Sequence, residues 1–204
     1  MILRKLFKIK QLAFRKLSVV ISTKLAKILF YICGIKFGEK FKCDQLPYIQ
    51  MSLSGTFNIG KNLRLNTGFY KPLGRPQKCL FTIGKNATLT IGDNVGICGT
   101  AIVCHKNIII EDNVFVGGNC VIYDTDFHDL NYKLRTSQPE NLTFVKRKEV
   151  IIKRNAFIGS HTTILKGVII GEGAVIGACS VVSRNIPDFE IWGGNPIQFL
   201  SKVL

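Results

Sequence analysis

The sequence predicts an all-β fold, a parallel β-helix built of triangular coils, preceded by a helical segment. Three observations carry this. An aliphatic residue returns every six positions through the second half of the chain, turn-forming residues hold fixed places between those returns, and the first 32 residues change to helical spacing.

The repeat runs unbroken through Ile152, Ile158, Ile164, Ile170, Ile176 and Val182, with Ala156, Thr162, Val168, Ala174, Ser180 and Ile186 four places after each. A period of six cannot hold one face of a helix with 3.6 residues per turn. It suits a strand of two or three residues followed by a corner. Three such units close a coil of roughly 18 residues, and coils stack about 4.8 Å apart through parallel ladders. The six-spaced residues then fill the axis of the prism.

Upstream, Ile91, Ile97 and Val103 stand six apart, with Val95 and Ala101 at the second place. One extra residue near position 104 shifts the register, and the pattern resumes at Ile110, Val116 and Ile122, with Val114 and Cys120. Residues 123–149 carry no repeat and are expected to leave the body as a long loop. Residues 66–80, with Gly68, Pro72, Gly74 and Pro76, are expected to form a second loop. Glycine follows many inward positions (Gly60, Gly84, Gly92, Gly117, Gly159, Gly171, Gly177), where coils approach closely at corners. Asp93-Asn94, Asp112-Asn113 and Glu172-Gly173 suit left-handed turns.

In residues 2–32, Leu3, Phe7, Phe14, Leu17, Ile21, Leu25, Ile28 and Ile32 fall on one face of one or two amphipathic helices. Of the net charge of +15, residues 1–42 carry +10, from eleven Lys and Arg against Glu39 alone. The basicity thus belongs to this segment. It is read either as a helix lying on an anionic membrane surface or as one whose apolar stripe packs on the β-domain or a partner subunit. No aromatic-studded basic groove accompanies the charge, so nucleic acid is not expected. The longest uncharged stretch here, Ile28 to Ile35, is too short to span a bilayer, and no signal-peptide cleavage site follows it. The expected division is a basic helical segment over 1–42 and a β-helix domain over 43–200, with 123–149 protruding. The seven cysteines include no CxxC pair and read as small core residues in a reducing compartment.

The repeats Ile-Gly-Asp-Asn-Val-Gly (91–96) and Ile-Gly-Glu-Gly-Ala-Val-Ile-Gly-Ala-Cys-Ser-Val-Val (170–182) resemble the hexapeptide-repeat family, whose coils wind left-handed. The stretch Val181 to Pro187, continued by Gly194-Asn195-Pro196, resembles the end of its O-acetyltransferase branch. Tyr123-Asp124-Thr125-Asp126-Phe127-His128 is most similar to the enzymes that acetylate surface polysaccharides. The resemblance covers roughly residues 45–200. It implies a left-handed parallel β-helix and a homotrimer with active sites between subunits. It also implies an O-acyltransferase that uses acetyl-CoA and no metal, acting on a sugar hydroxyl in bacterial polysaccharide synthesis. The setting would be cytoplasmic, with residues 1–32 against the inner face of the membrane. Alternatives are a small acceptor such as serine, or a non-catalytic trimeric β-helix that serves as a binding module.

Acyl transfer from a thioester to an alcohol needs a base for the hydroxyl proton and a groove for the donor. The resemblance places the base at His128, and the sequence offers Asp126 or Asp124 to orient its imidazole. The other two histidines, His105 and His161, read as corner residues. Metal is not expected, because the three histidines stand 23 and 33 residues apart, without the close spacing of the γ-class carbonic anhydrases that share the fold. By resemblance the donor would lie along Gly159, Ser160, Gly177 and Ala178, with Ser183, Arg184 and Lys166 toward its phosphates. Relatives often carry Lys where Arg184 stands. Asn119, Tyr123, Asp124 and Arg135 are the candidates to hydrogen-bond the acceptor. Trp192 is expected either to stack on adenine or to close the last coil.

Overall fold

The computed structural model describes residues 1–66 and 77–203. The strands form three sheets, and the chain visits them in rotation, so they are the three faces of one prism. Face A holds Lys36–Phe37, Thr56–Ile59, Thr88–Ile91, Asn107–Ile110, Val150–Ile152 and Ile169–Ile170. Face B holds Lys42–Cys43, Arg64–Asn66, Gly96–Cys98, Phe115–Val116, Phe157–Ile158 and Val175–Ile176, then the closing pair Glu190–Gly193 and Gln198–Lys202. Face C holds Tyr48–Met51, Leu80–Ile83, Ala101–Cys104, Val121–Tyr123, Thr163–Ile164 and Val181–Val182. Pairing is parallel except in the closing hairpin.

The register follows the repeat. Ile151 pairs with Ile169, Phe157 with Val175 and Thr163 with Val181. The six-spaced residues Ile152 to Val182 are buried, and so are the second-place residues from Ala156 to Ile186. Complete burial of one such Ile contributes about 2–3 kcal/mol. Thr162 and Ser180 reach the interior without cost in lost partners, because both hydroxyls donate to the Gly177 carbonyl (3.2 and 2.7 Å).

One register assignment is corrected. After Ile97 the inward residues are Ile102 and Cys104, while Ala101 and Val103 are half-exposed. Ile102, paired with Ile122, thus takes the inward place expected of Val103. The Gly99-Thr100 corner is one residue short, while the added residues lie between Ile102 and Ile110, around position 104 as expected. Gly99 has φ +42°, and a Cβ there would stand 2.6 Å from the Gln77 carbonyl oxygen. Thr100 is buried with its hydroxyl donating to the carbonyls of Cys98 and Gly117. A buried threonine reads as surface in a sequence, which hid the short corner.

Corners are made by left-handed residues at the third place after an inward one. Asn62, Asn86, Asn94, Asn113, Asn119, Asn155, His161 and Cys179 have φ between 57 and 63°, a region that asparagine tolerates best among side-chain-bearing residues. At the corner between faces A and B these asparagines stack. Asn62 donates to Asn94, Asn94 to Asn113, Asn113 to Asn155 and Asn155 to Glu172.

The N-terminal segment is one helix, α1 (Ile2–Ile32). Its second half crosses the open end of the prism. Phe30 is buried, with ring centroids 5.6 Å from Phe37 and 5.0 Å from Phe41. Ser18 and Ser22 donate to the Asp44 carbonyl, and Thr23 both donates to and accepts from the Cys43 backbone. The predicted apolar stripe does not make this contact. Leu3, Phe7, Phe14, Leu17, Ile21, Leu25, Ile28 and Ile32 are all exposed. The first coil presents unpaired backbone groups, which hydroxyls satisfy and a leucine would bury unpartnered. Residues 36–42, grouped with the helical segment on composition, already belong to the first coil, since Lys36 pairs with Asn58. At the other end the hairpin closes the prism. Trp192 pairs with Ile176 and meets Phe199 at 5.9 Å, so it closes the last coil. Among the described residues no helix is long and apolar enough to cross a membrane. Gly68, Pro72, Gly74 and Pro76 of the expected first loop lie outside the described residues.

Candidate active site

The long excursion leaves face C at Tyr123 and returns to face A at Val150, at the corner between those faces. Its two legs are pinned together. Asp126 N–H donates to the Lys146 carbonyl (3.1 Å), Lys148 N–H donates to the Asp124 carbonyl (2.9 Å), and Thr125 bridges Arg147 antiparallel. Phe127 follows in a left-handed conformation, φ +64°, with its N–H on the Thr125 hydroxyl. A bulky residue there is costly and persists only where its surroundings hold it. Tyr123 and Phe127 meet edge to face at 5.0 Å. This hairpin sets down His128, whose N–H donates to the Asp126 carbonyl.

The His128 ring is 61% exposed, and its Nδ1 lies 2.8 Å from Glu140 Oε1. A carboxylate there requires the proton on Nδ1 and leaves the Nε2 lone pair free as a base. The orienting carboxylate is thus Glu140, not Asp126 or Asp124. Asp126 instead pairs with Lys166 at 2.5 Å. Asp124 is fully buried, and its two oxygens accept the N–H groups of His105 and Lys106, both at 2.7 Å. It staples the corner and is not turned to a ligand. A pocket of about 310 Å³ opens beside His128, lined by Asp126, Asp129, Leu130, Asn131, Leu134, Phe144 and Lys146. Asn131 caps the short helix α2 (Tyr132–Arg135). Arg135 donates to the carbonyls of Asp129 and Leu130, so it tightens the loop and does not stand free for an acceptor. Tyr123 is half-buried at the excursion's root, and desolvation raises its hydroxyl above the usual range. His105, edge to face with Phe127, is held below its usual value mainly by burial.

The other expected residues fall into two groups. Lys166, Ser183 and Arg184 share the His128 corner, since they follow the face C strands Thr163–Ile164 and Val181–Val182. Gly159, Ser160, Gly177 and Ala178 line the next corner, between faces B and C. Asn119 stands there too, away from His128. Its side-chain amide is shielded from solvent with no partner on either atom. The glycines at this corner differ. A Cβ on Gly159 would lie 2.5 Å from Ala178 N, so coil stacking alone demands glycine. A Cβ on Gly177 would meet nothing nearer than 3.5 Å. Among the described residues no three His, Cys, Asp or Glu side chains are grouped as metal ligands. Sequence reasoning missed Glu140, twelve residues beyond His128 in an aperiodic stretch.

Residues 149–184 match the family described as bacterial transferase hexapeptide (six repeats), and residues 107–122 match the hexapeptide repeat of succinyl-transferase. Proteins of Staphylococcus aureus named as acetyltransferases are 44% identical over 116 residues, 48% of this chain and 56% of theirs. The chain thus spans about half the length of those curated relatives. The galactoside O-acetyltransferase of Lactococcus lactis is 30% identical over 176 residues, 81% of this chain and 74% of that protein. The chain belongs to the hexapeptide-repeat transferases. Among solved structures, the N-acyltransferase AntD of Bacillus cereus, in a variant complexed with dTDP and coenzyme A, superposes with a TM-score of 0.69. It is 25% identical, over 87% of this chain and 88% of that one. A hexapeptide-repeat acetyltransferase of Vibrio cholerae complexed with acetyl coenzyme A gives 0.51 at 23% identity, over 76% of this chain and 71% of the other. Membership and these likenesses fix the hand of the coils as left. Within a hexapeptide-repeat transferase the three-faced prism is the shared frame, and this chain sets His128 and Glu140 on its excursion.

Proposed function

We propose that the protein is an acetyl-CoA-dependent O-acetyltransferase acting on a sugar hydroxyl in the cytoplasm, in the synthesis of a bacterial surface polysaccharide. The observation that carries this reading is the His128–Glu140 pair at 2.8 Å, with the second ring nitrogen open to solvent beside a pocket. His128 Nε2 takes the proton of the acceptor hydroxyl, whose oxygen attacks the thioester carbonyl carbon. The carbon–sulfur bond breaks, and the proton passes from His128 to the leaving thiolate, giving the acetyl ester and free CoA. Glu140 is a positioning residue. The donor would run along the corner of Gly159, Ser160, Gly177 and Ala178. Gly177 supports this, because packing within the chain does not account for its missing side chain. Ser183, Arg184 and Lys166 would meet the phosphates, although Lys166 already holds Asp126.

One chain carries the His128 corner and the donor corner on opposite sides of face C, which supports a homotrimer with sites between subunits. The outward pair Phe115 and Phe157 on face B, 56% and 48% exposed, gives such an assembly an apolar contact. The likeness to AntD favours a second reading, in which the acceptor is an amino sugar and the product an amide.

The test is an acceptor screen that follows CoA release, with nucleotide sugars, amino sugars and lipid-linked oligosaccharides. His128→Ala is expected to cut turnover on the order of 10²–10⁴-fold with CoA binding intact. Glu140→Gln is expected to lose less, in kcat more than in KM. Unchanged turnover in His128→Ala would leave the chain a binding module.

A further inference from the structure

Helix α1 turns its hydrocarbon side away from the protein. Leu3, Phe7, Leu17, Ile21, Leu25 and Ile28 are each about half exposed or more, and they share an arc of about 80° around the helix axis. The side chains that touch the body, Ser18, Ser22, Thr23, Ala26 and Phe30, lie on another sector. The stripe is therefore not left over from packing on the prism. The helix also carries eight Lys and Arg and no acid. Six of the eight, Arg4, Lys5, Lys8, Arg15, Lys16 and Lys27, fall on the half opposite the stripe. Lys24 flanks it and Lys10 stands within it, where its long stem can reach back toward the polar side. Residues 1–13 are exposed throughout, so the first part of the helix overhangs the body.

We propose that α1 lies in the interface of an anionic lipid bilayer, with the stripe among the acyl chains and the cations at the headgroups. The charge selects this occupant. A second copy would bring eight more cations against the first eight, in a chain of net charge +15. A nucleic acid would engage the cations and leave the stripe in water. An anionic membrane surface satisfies both sides of the helix at once, and near such a surface each Lys or Arg adds to binding. The attachment is peripheral, since no helix of the described residues is long and apolar enough to cross.

Deleting the helix would uncover the open coil, so substitutions on the overhang give the cleaner test. The full chain is floated with vesicles of phosphatidylcholine alone or with about a third phosphatidylglycerol. Recovery with anionic vesicles is expected to exceed recovery with neutral ones at least about tenfold and to fall in high salt. Leu3→Asp with Phe7→Asp is expected to reduce recovery about tenfold with the thermal midpoint unchanged. The proposal is overturned by absence of flotation, by equal recovery on both vesicles, or by undiminished recovery of the double variant. It is equally overturned if the double variant lowers the mass of the assembly, which would assign the stripe to a second copy. Binding is read without turnover, so failure here leaves the acyl-transfer reading untouched.

Discussion

Burial divides the seven cysteines. Desolvation pushes Cys43 and Cys79 up to about 12 and Cys120 up to about 11, and it raises Cys104 as well. Cys179 is exposed at a corner. The thiolate is the reactive form. At pH 8 a disulfide-type thiol reagent is therefore expected to label Cys179 quickly in the native protein and the four buried thiols only after unfolding. The seven-thiol total should appear in denaturant. Prompt labelling of Cys79 or Cys104, read by peptide mass, would contradict the core assignment. The same difference sets the native background in a CoA-release assay. At this scale the sequence was legible wherever a side chain acts through its repeat position. It was illegible at His128, where nearness in the chain suggested Asp126 and only the folded loop brings Glu140 to the ring.

The corner of faces A and B is a ladder of amides. Asn113 accepts from Asn94 and donates to Asn155 at 3.1 and 3.2 Å, while its backbone holds φ +59°. Two costs are thus joined in one residue. Asn113→Ala loses both side-chain bonds and puts a Cβ-bearing residue less suited to left-handed geometry in its place, and it should destabilise by about 1–2 kcal/mol. Asn113→Gly keeps the conformation and loses only the bonds, so it should cost less. Denaturant melts of both variants separate the terms, and equal losses would mean that strain contributes nothing. The sequence announced these corners through Asp-Asn and Glu-Gly pairs. It placed the surplus near position 104 but missed the short corner before it, because Thr100 and Gly99 look like surface while one is buried and the other avoids the Gln77 carbonyl, so Val103 was taken for the inward Ile102. It found the helix by its apolar spacing, yet hydropathy could not say which side docks, since apart from Phe30 the docking side is made of Ser, Thr and Ala.

A parallel β-helix has two open ends, each a row of unpaired strand groups that invites pairing with another chain. Here α1 covers one end and the closing hairpin covers the other, so association is left to the side faces. Phe115 and Phe157 stand in register on face B. On the proposed trimer, Phe157→Lys is accordingly expected to give monomer in sedimentation analysis, with its strand spectrum retained and turnover lost. A trimer that survives would move the interface to another face.

The excursion has a different kind of consequence. Ile109 pairs with Ile151, 42 residues on, where a plain coil needs only the 18 that separate Ile151 from Ile169. The ladder resumes as though nothing had intervened. The stacked strands keep their register, whereas the insertion has no length to keep. Such a chassis accepts interchangeable cassettes. A foreign segment spliced between Tyr123 and Val150 need only bring its own legs together, as Asp124 and Lys148 do now, to carry new acceptor chemistry past the unchanged corner proposed for the donor.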